Sequence, residues 1–330
     1  MKNTVQYQFI FALSLVLCAL SCSDSLENDP SVYQRITVYP ESELGFNVFC
    51  NANLDNPEGL THYKNLLFVS HGGALDGERH YKIALDGVRL ANKLGNTIVV
   101  APQFRTENIS RNYRWGKYNW KDGRESYNGV PKVSSYAVFD ALISQIISKY
   151  PSIENIILTG HSAGAQAVFR YAVLTDLPEL ISRDVNYLPM NPASLLYIGP
   201  ERWNEEINSF IIPPDLSTCP DYNTWNYGLN NIELNEYRPD ITAEYINETF
   251  PYRNLTYCVG TRDFNITDPS CEADYLGSTS LDKSTKAYQY MQFKVPDNNH
   301  ELITVEGIAH DFTGMMRSPE IRTYINSIFE

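Results

Sequence analysis

Positive charge is scarce in this chain: 26 Lys and Arg stand against 39 Asp and Glu, a net charge of −13. Phosphate contacts need a basic surface, so the composition argues against nucleic acid and against electrostatic adsorption to anionic lipid. Also lacking is an apolar run long enough to cross a bilayer, which takes roughly 20 residues. The run Phe9 to Leu20 falls short of that. There is no C-x-x-C and no histidine cluster at ligand spacing among the six cysteines and six histidines, so no metal is expected. No internal repeat or low-complexity segment interrupts the chain. With no cofactor motif either, any chemistry has to come from side chains.

What is present begins at the N-terminus. A basic start, Met1-Lys2-Asn3, precedes the apolar run, which reads as a signal peptide over residues 1–21. Ala19-Leu20-Ser21-Cys22 looks like a bacterial lipobox, and an acidic stretch follows (residues 23–29). The expectation is a chain exported and lipid-anchored through Cys22 at a bacterial envelope, or else secreted. Residues 22–34 would be an acidic linker and 35–330 one domain. Cys50, Cys219, Cys258 and Cys271 then remain, an even number in an oxidising compartment, which suggests two disulfides. Of the three pairings possible, Cys258–Cys271 is the most local.

From about residue 35, short apolar runs alternate with longer amphipathic ones, the pattern of a mostly parallel sheet with helices on both faces. Strands are expected at 36–39, 46–49, 66–69, 97–100, 156–158, 187–190, 256–259 and 302–305. Helices are expected at 77–94, 134–150, 165–174 and 319–329. Residues 104–131 form a long aromatic loop, and 198–250, rich in Pro, Asn, Trp and Tyr, read as a cap-like insertion after the sixth strand. Trp115, Trp120 and Trp225 in these segments are candidates for a substrate wall, though aromatics also anchor long loops onto a domain.

Gly160-His161-Ser162-Ala163-Gly164 fits G-x-S-x-G, a weak pattern by itself. Here it follows the apolar strand 156–158 and opens a helix of small residues, the context that a nucleophile elbow requires. A serine hydroxyl is a poor nucleophile until a base takes its proton, and the base needs an orienting acid. Ser162, then Asp263 in Gly260-Thr261-Arg262-Asp263, then His310 in Gly307-Ile308-Ala309-His310 supplies the order Ser–Asp–His. Both partners follow apolar strands, at the strand ends where open α/β sheets bind ligands. Asp268 is the competing acid. Of the other histidines, His300 precedes its strand, His62 and His80 read as surface residues, and His161 points away from the reaction. Backbone N–H groups that stabilise a developing oxyanion are expected from Ala163 and from the turn His71-Gly72-Gly73-Ala74.

Together, the elbow, the HGG turn, the GTRD acid and the GIAHD histidine resemble the α/β-hydrolase superfamily over residues 60–330. The chain is similar to secreted hydrolases of the polyhydroxyalkanoate-depolymerase and feruloyl-esterase-like group. That resemblance implies Ser162, Asp263 and His310 as a catalytic triad, Gly73 and Ala163 as oxyanion donors, and a small-molecule or polymer-linked ester as substrate. Residues 73–77 depart from any one subfamily, and fold does not fix substrate. Two other readings stay open: a serine peptidase on the same fold, and a surface binding protein that has lost turnover.

Overall fold

The computed structural model describes residues 26–55, 62–266 and 268–329, apart from the side chain of Asn28. The expected signal peptide and the lipidation of Cys22 lie outside the described residues. Among the described residues no helix is long and apolar enough to cross a membrane.

Among the described residues ten strands run in chain order: β1 (Tyr33–Ile36), β2 (Phe46–Cys50), β3 (Asn65–Ser70), β4 (Thr97–Pro102), β5 (Asn155–His161), β6 (Asn186–Met190), β7 (Arg202–Asn204), β8 (Ser209–Ile211), β9 (Asn254–Gly260) and β10 (Glu301–Val305). Eight of them form one sheet in the order β1-β2-β4-β3-β5-β6-β9-β10, while β7 and β8 make a separate hairpin. β2 runs antiparallel to β1 and β4, and from β4 to β10 every pairing is parallel. β3, β4 and all of β5 but its first residue are buried, which is why they read as unbroken apolar runs: central parallel strands are covered on both sides.

The nine helices among the described residues are α1 (Gly77–Leu90), α2 (Ser135–Lys149), α3 (Ala163–Leu174), α4 (Leu177–Ile181), α5 (Ala243–Thr249), α6 (Cys271–Asp274), α7 (Ser280–Lys294), α8 (Phe312–Arg317) and α9 (Pro319–Ile328). Alternate residues of each strand serve opposite faces. Phe68, Val100 and Leu158 pack with Leu142 of α2, Val168 of α3 and Tyr290 of α7. Leu67, Val99 and Ile157 pack with Tyr81 of α1, Met315 of α8 and Ile325 of α9. Helices therefore cover both faces, as expected.

Several sequence expectations move. The opening strand lies earlier than 36–39 and reaches into the segment read as a linker. Tyr33 packs its ring 4.7 Å from Phe49, and Gln34 ties its side chain to Ala52 O and Leu54 N. α1 ends four residues sooner than expected, at Leu90, with Asn92 at φ +59 closing the turn behind it. α7 had no strong apolar period to announce it. The region after β6 contains the β7–β8 hairpin and α5.

The disulfide is Cys219–Cys271, not Cys258–Cys271. Cys258 sits in the middle of β9 and points into the core against α9, fully buried and free. Cys271 opens α6 beyond the turn after β9, and Cys219 reaches it from the insertion, Cα to Cα 5.8 Å. Thirteen positions of sequence put two cysteines near one another, but strand alternation aims Cys258 at the opposite face. The bridge instead ties the insertion to the segment that follows Asp263. Burial pushes the free thiols of Cys50 (to about 12) and Cys258 well above the ordinary range.

Candidate active site

Ser162 caps α3 in a left-hand region of backbone space, φ +57 and ψ −114. For a residue with a Cβ this conformation is strained, and the neighbours show why it is held. A Cβ on Gly160 would stand 2.5 Å from the Gly164 carbonyl, and one on Gly164 would stand 2.3 Å from Ser70 O. Only glycine at both positions lets α3 approach β5 and β3 closely enough to force the turn. The Ser162 N–H donates to Met190 O at 3.2 Å, fixing the elbow to the end of β6.

The acid and the base come from the ends of the next two strands. Asp263, fully buried, follows β9 by three residues, and its N–H donates to Gly260 O at 3.0 Å. His310 follows β10 by five. His310 Nδ1 lies 2.8 Å from Asp263 Oδ2. An ionised carboxylate only accepts, so Nδ1 carries the proton and the Nε2 lone pair is left for a donor. Asp268 makes no such contact. The structure brings Asp263 and His310 together as the sequence order implied, and His310 packs its ring 4.5 Å from that of His161, the residue before Ser162.

Two histidines depart from the sequence expectation. His161 does not point away from the site: it is buried against His310 and Phe312, and burial, then the nearby His310, lower its pKa well below the ordinary value. His80 is a buried brace and not a surface residue. Its Nε2 accepts the Gly72 N–H at 3.2 Å, and its Nδ1 lies 3.0 Å from an Asp76 carboxylate oxygen. That pair fixes the turn carrying Gly73. The signal was legible in principle, since Asp76 and His80 are one helical turn apart. His71 and His300 are also buried, with burial lowering each to about 4. His300 bonds Tyr257 and Phe250 O at the far end of β10, a structural role.

Ser162, Gly73 and Ala163 line one cavity of about 540 Å³ together with Tyr118, Lys121, Gln166, Ala193, Tyr227, Asp268 and Pro269. As the first residue of α3, Ala163 has an N–H with no helical carbonyl to bond. None of the three tryptophans proposed as a wall lines this cavity. Trp115 and Trp120 are buried in the core: Trp120 packs 4.5 Å from His71 and 5.0 Å from Phe104, and Trp115 5.1 Å from Phe104. Their indole N–H groups donate to Arg124 O and Lys117 O inside their own loop. Trp225 is buried in the insertion. Sinking large rings into the sheet-covering layer gains more than lining a wet cleft with them.

The wall instead sets a few polar side chains among small and apolar residues. Burial pushes Asp268 up, but hydrogen bonds from Ser270, Ser194 and Tyr227 outweigh it and hold the carboxyl below its usual range. Lys121 sits across the cavity, bonded to Asp122; burial, then Arg170, lower its pKa. Arg170, fully buried, pairs with the same Asp122 at 2.7 Å. Among the described residues one group has metal-ligand spacing, Cys219, Cys271 and Glu272, and both its sulfurs are in the disulfide.

Neither family models nor curated proteins match the sequence. Solved structures do. Poly(aspartic acid) hydrolase-1 from a Sphingomonas species matches with TM-score 0.60 at 19% identity, covering 90% of this chain and 97% of that one. A poly(3-hydroxybutyrate) depolymerase from Bordetella parapertussis matches with TM-score 0.59 at 18% identity, covering 89% and 91%. An S-formylglutathione hydrolase from Staphylococcus aureus matches with TM-score 0.50 at 12% identity, covering 90% and 98%. The sheet order, the strand-to-helix turn at Ser162 and these neighbours agree that the chain has the α/β-hydrolase fold.

Proposed function

We propose that the chain is a serine hydrolase of carboxylic esters acting through an acyl-enzyme intermediate. The observation that carries the reading is the Asp263–His310 hydrogen bond beside a serine held at φ +57 on a strand-to-helix turn. In this reading His310 Nε2 takes the Ser162 hydroxyl proton as Oγ attacks the ester carbonyl. Asp263 holds the imidazole tautomer and stabilises the imidazolium that forms. The N–H groups of Gly73 and Ala163 stabilise the oxyanion. His310 then returns the proton to the departing alcohol, and water repeats the sequence on the acyl-enzyme.

The carboxylate, ammonium, amide and phenol around the cavity favour an ester whose bound part offers hydrogen bonds, over one with a long alkyl chain that would strip those groups of water. The two polymer-degrading neighbours are compatible with such a substrate. Ser162→Ala is expected to leave the fold intact and to cut ester hydrolysis by several orders of magnitude, as loss of a triad serine does. A fluorophosphonate probe should label the parent chain and not the variant. Activity retained within about tenfold would remove the reading, since triad losses cost far more.

A further inference from the structure

We infer that Asn191 is a positioning residue of this site, tying the strand that supports the nucleophile to the two turns that carry acid and base. The inference rests on the ester-hydrolase reading of the preceding subsection. Ser162 hangs from the end of β6 through its bond to Met190 O, and Asn191 is the next residue. Asp263 and His310 belong to a second unit. Thr261 N–H donates to Val305 O and Arg262 N–H to Ile308 O, each at 2.9 Å, so the turns after β9 and β10 move together. A triad works only if the two units keep register to a fraction of an ångström.

The Asn191 carboxamide spans them. Its Oδ1 accepts the Gly260 N–H at 2.8 Å, at the start of the acid turn. Its Nδ2 donates to Ala309 O at 3.1 Å, the residue before His310, and stands 3.4 Å from Nε2 of His161. Because burial keeps His161 neutral, that ring nitrogen can accept the second amide proton. One side chain therefore meets the elbow, the acid turn and the base loop at once. Its own N–H donates to Cys258 O in β9 at 2.8 Å.

Two further observations argue that the amide is required. Asn191 is fully buried, so each of its polar atoms must be satisfied within the protein. Its backbone has φ +51, the left-handed region, which asparagine tolerates better than most residues. Aspartate would keep the acceptor for Gly260 but lose the donor to Ala309. Glycine would keep the backbone and lose both.

That difference supplies the test. Asn191→Gly leaves the left-handed backbone unstrained and removes the side-chain ties, and Asn191→Asp keeps the acceptor for Gly260 while setting a carboxyl oxygen in place of the donor to Ala309 O. Both are measured on p-nitrophenyl acetate, with the concentration of working sites counted by fluorophosphonate titration. Misplaced reacting groups slow chemistry more than binding, so kcat per titrated site should fall by about 10- to 100-fold in the glycine variant with KM held within about twofold. The aspartate variant should show the same split. Should the glycine variant prove unable to fold, the aspartate variant alone decides. A folded variant with kcat per site within about twofold of the parent would overturn the inference, because a 1 Å displacement costs far more. So would a loss confined to the number of titratable sites, since that marks a purely structural role. The underlying reading fails separately, by a Ser162→Ala protein that still turns over.

Discussion

The turns after β5, β9 and β10 and the long connections at 103–134 and 191–253 are built in different ways. In the turns, short stretches of backbone are locked by main-chain hydrogen bonds and, at Gly160, Gly164 and Gly260, by glycines whose added Cβ would meet a neighbouring carbonyl. The side chains they carry are Ser162, which lines the cavity, and the hydrogen-bonded pair Asp263 and His310. In the long connections the backbone is irregular, and the large side chains do the holding. Trp115, Trp120, Tyr113 and Phe104 sink into the core, and what faces the cavity is left over from that packing: Tyr118, Lys121 and Tyr227. On the proposed reading, chemistry sits where strands end and selectivity where loops are anchored.

The sharpest break of this comparison is at Asp263. Its contact to His310 serves the imidazole and not the core, so Asp263→Asn should lower kcat by about 10³–10⁴ with the fold spared, as the equivalent loss does in serine proteases. The measurement is kcat on a simple aryl ester together with the far-ultraviolet dichroism. A loss below tenfold would mean that His310 is oriented by something other than the acid turn.

Trp120→Ala tests the other half. If the indole anchors its loop, the variant should lose about 3–5 kcal/mol of stability in urea unfolding, the range for a buried large aromatic. KM of the remaining folded protein should change little. An unchanged midpoint with a raised KM would instead return Trp120 to the substrate wall.

This division also explains what the sequence could disclose. Gly160-x-Ser162-x-Gly164 is local: its meaning depends on one strand, one turn and one helix, all contiguous. The order Ser–Asp–His follows from parallel strands delivering their ends to the same edge. The fold was legible for the same reason, because buried parallel strands read as apolar runs. By contrast, Trp120 and Tyr118 are two positions apart in one aromatic run, yet one is in the core and the other lines the cavity. No periodicity separates them, since the loop has no regular repeat. His80 is legible only in part: Asp76 stands one helical turn away, but its other partner is the Gly72 N–H eight residues earlier, and a main-chain donor leaves no mark in sequence. The disulfide failed likewise, through a facing rule acting on Cys258 that is visible only once β9 has its register.

The smallest expected effect falls on Asp268, where the two regions meet. In sequence it competed with Asp263 for the role of orienting acid. In the structure it bonds Tyr227 at 2.9 Å and looks into the cavity beside Ser162. Its segment is tied to the insertion by that phenol and, three residues on, by the Cys219–Cys271 bridge, so it belongs with the walls. Its carboxyl is held ionised by its donors, and a ligand hydroxyl or amide donating to it would form a charge-assisted bond. Asp268→Asn replaces the charge by a neutral amide that still accepts once. The loss should be about tenfold in KM for an ester with a hydroxyl-rich bound part, toward the low end for a bond to a charged group. On p-nitrophenyl acetate, whose acyl group is two carbons long, KM and kcat should barely move. Tyr227→Phe should act in the same direction and more weakly, because it only loosens the carboxylate. The signature is opposite to that of Asp263→Asn, in which kcat falls on every ester and KM holds. If Asp268→Asn lowered kcat equally on both esters, Asp268 would be serving the reacting atoms, and the separation of chemistry at strand ends from selectivity in the long connections would not hold at this residue.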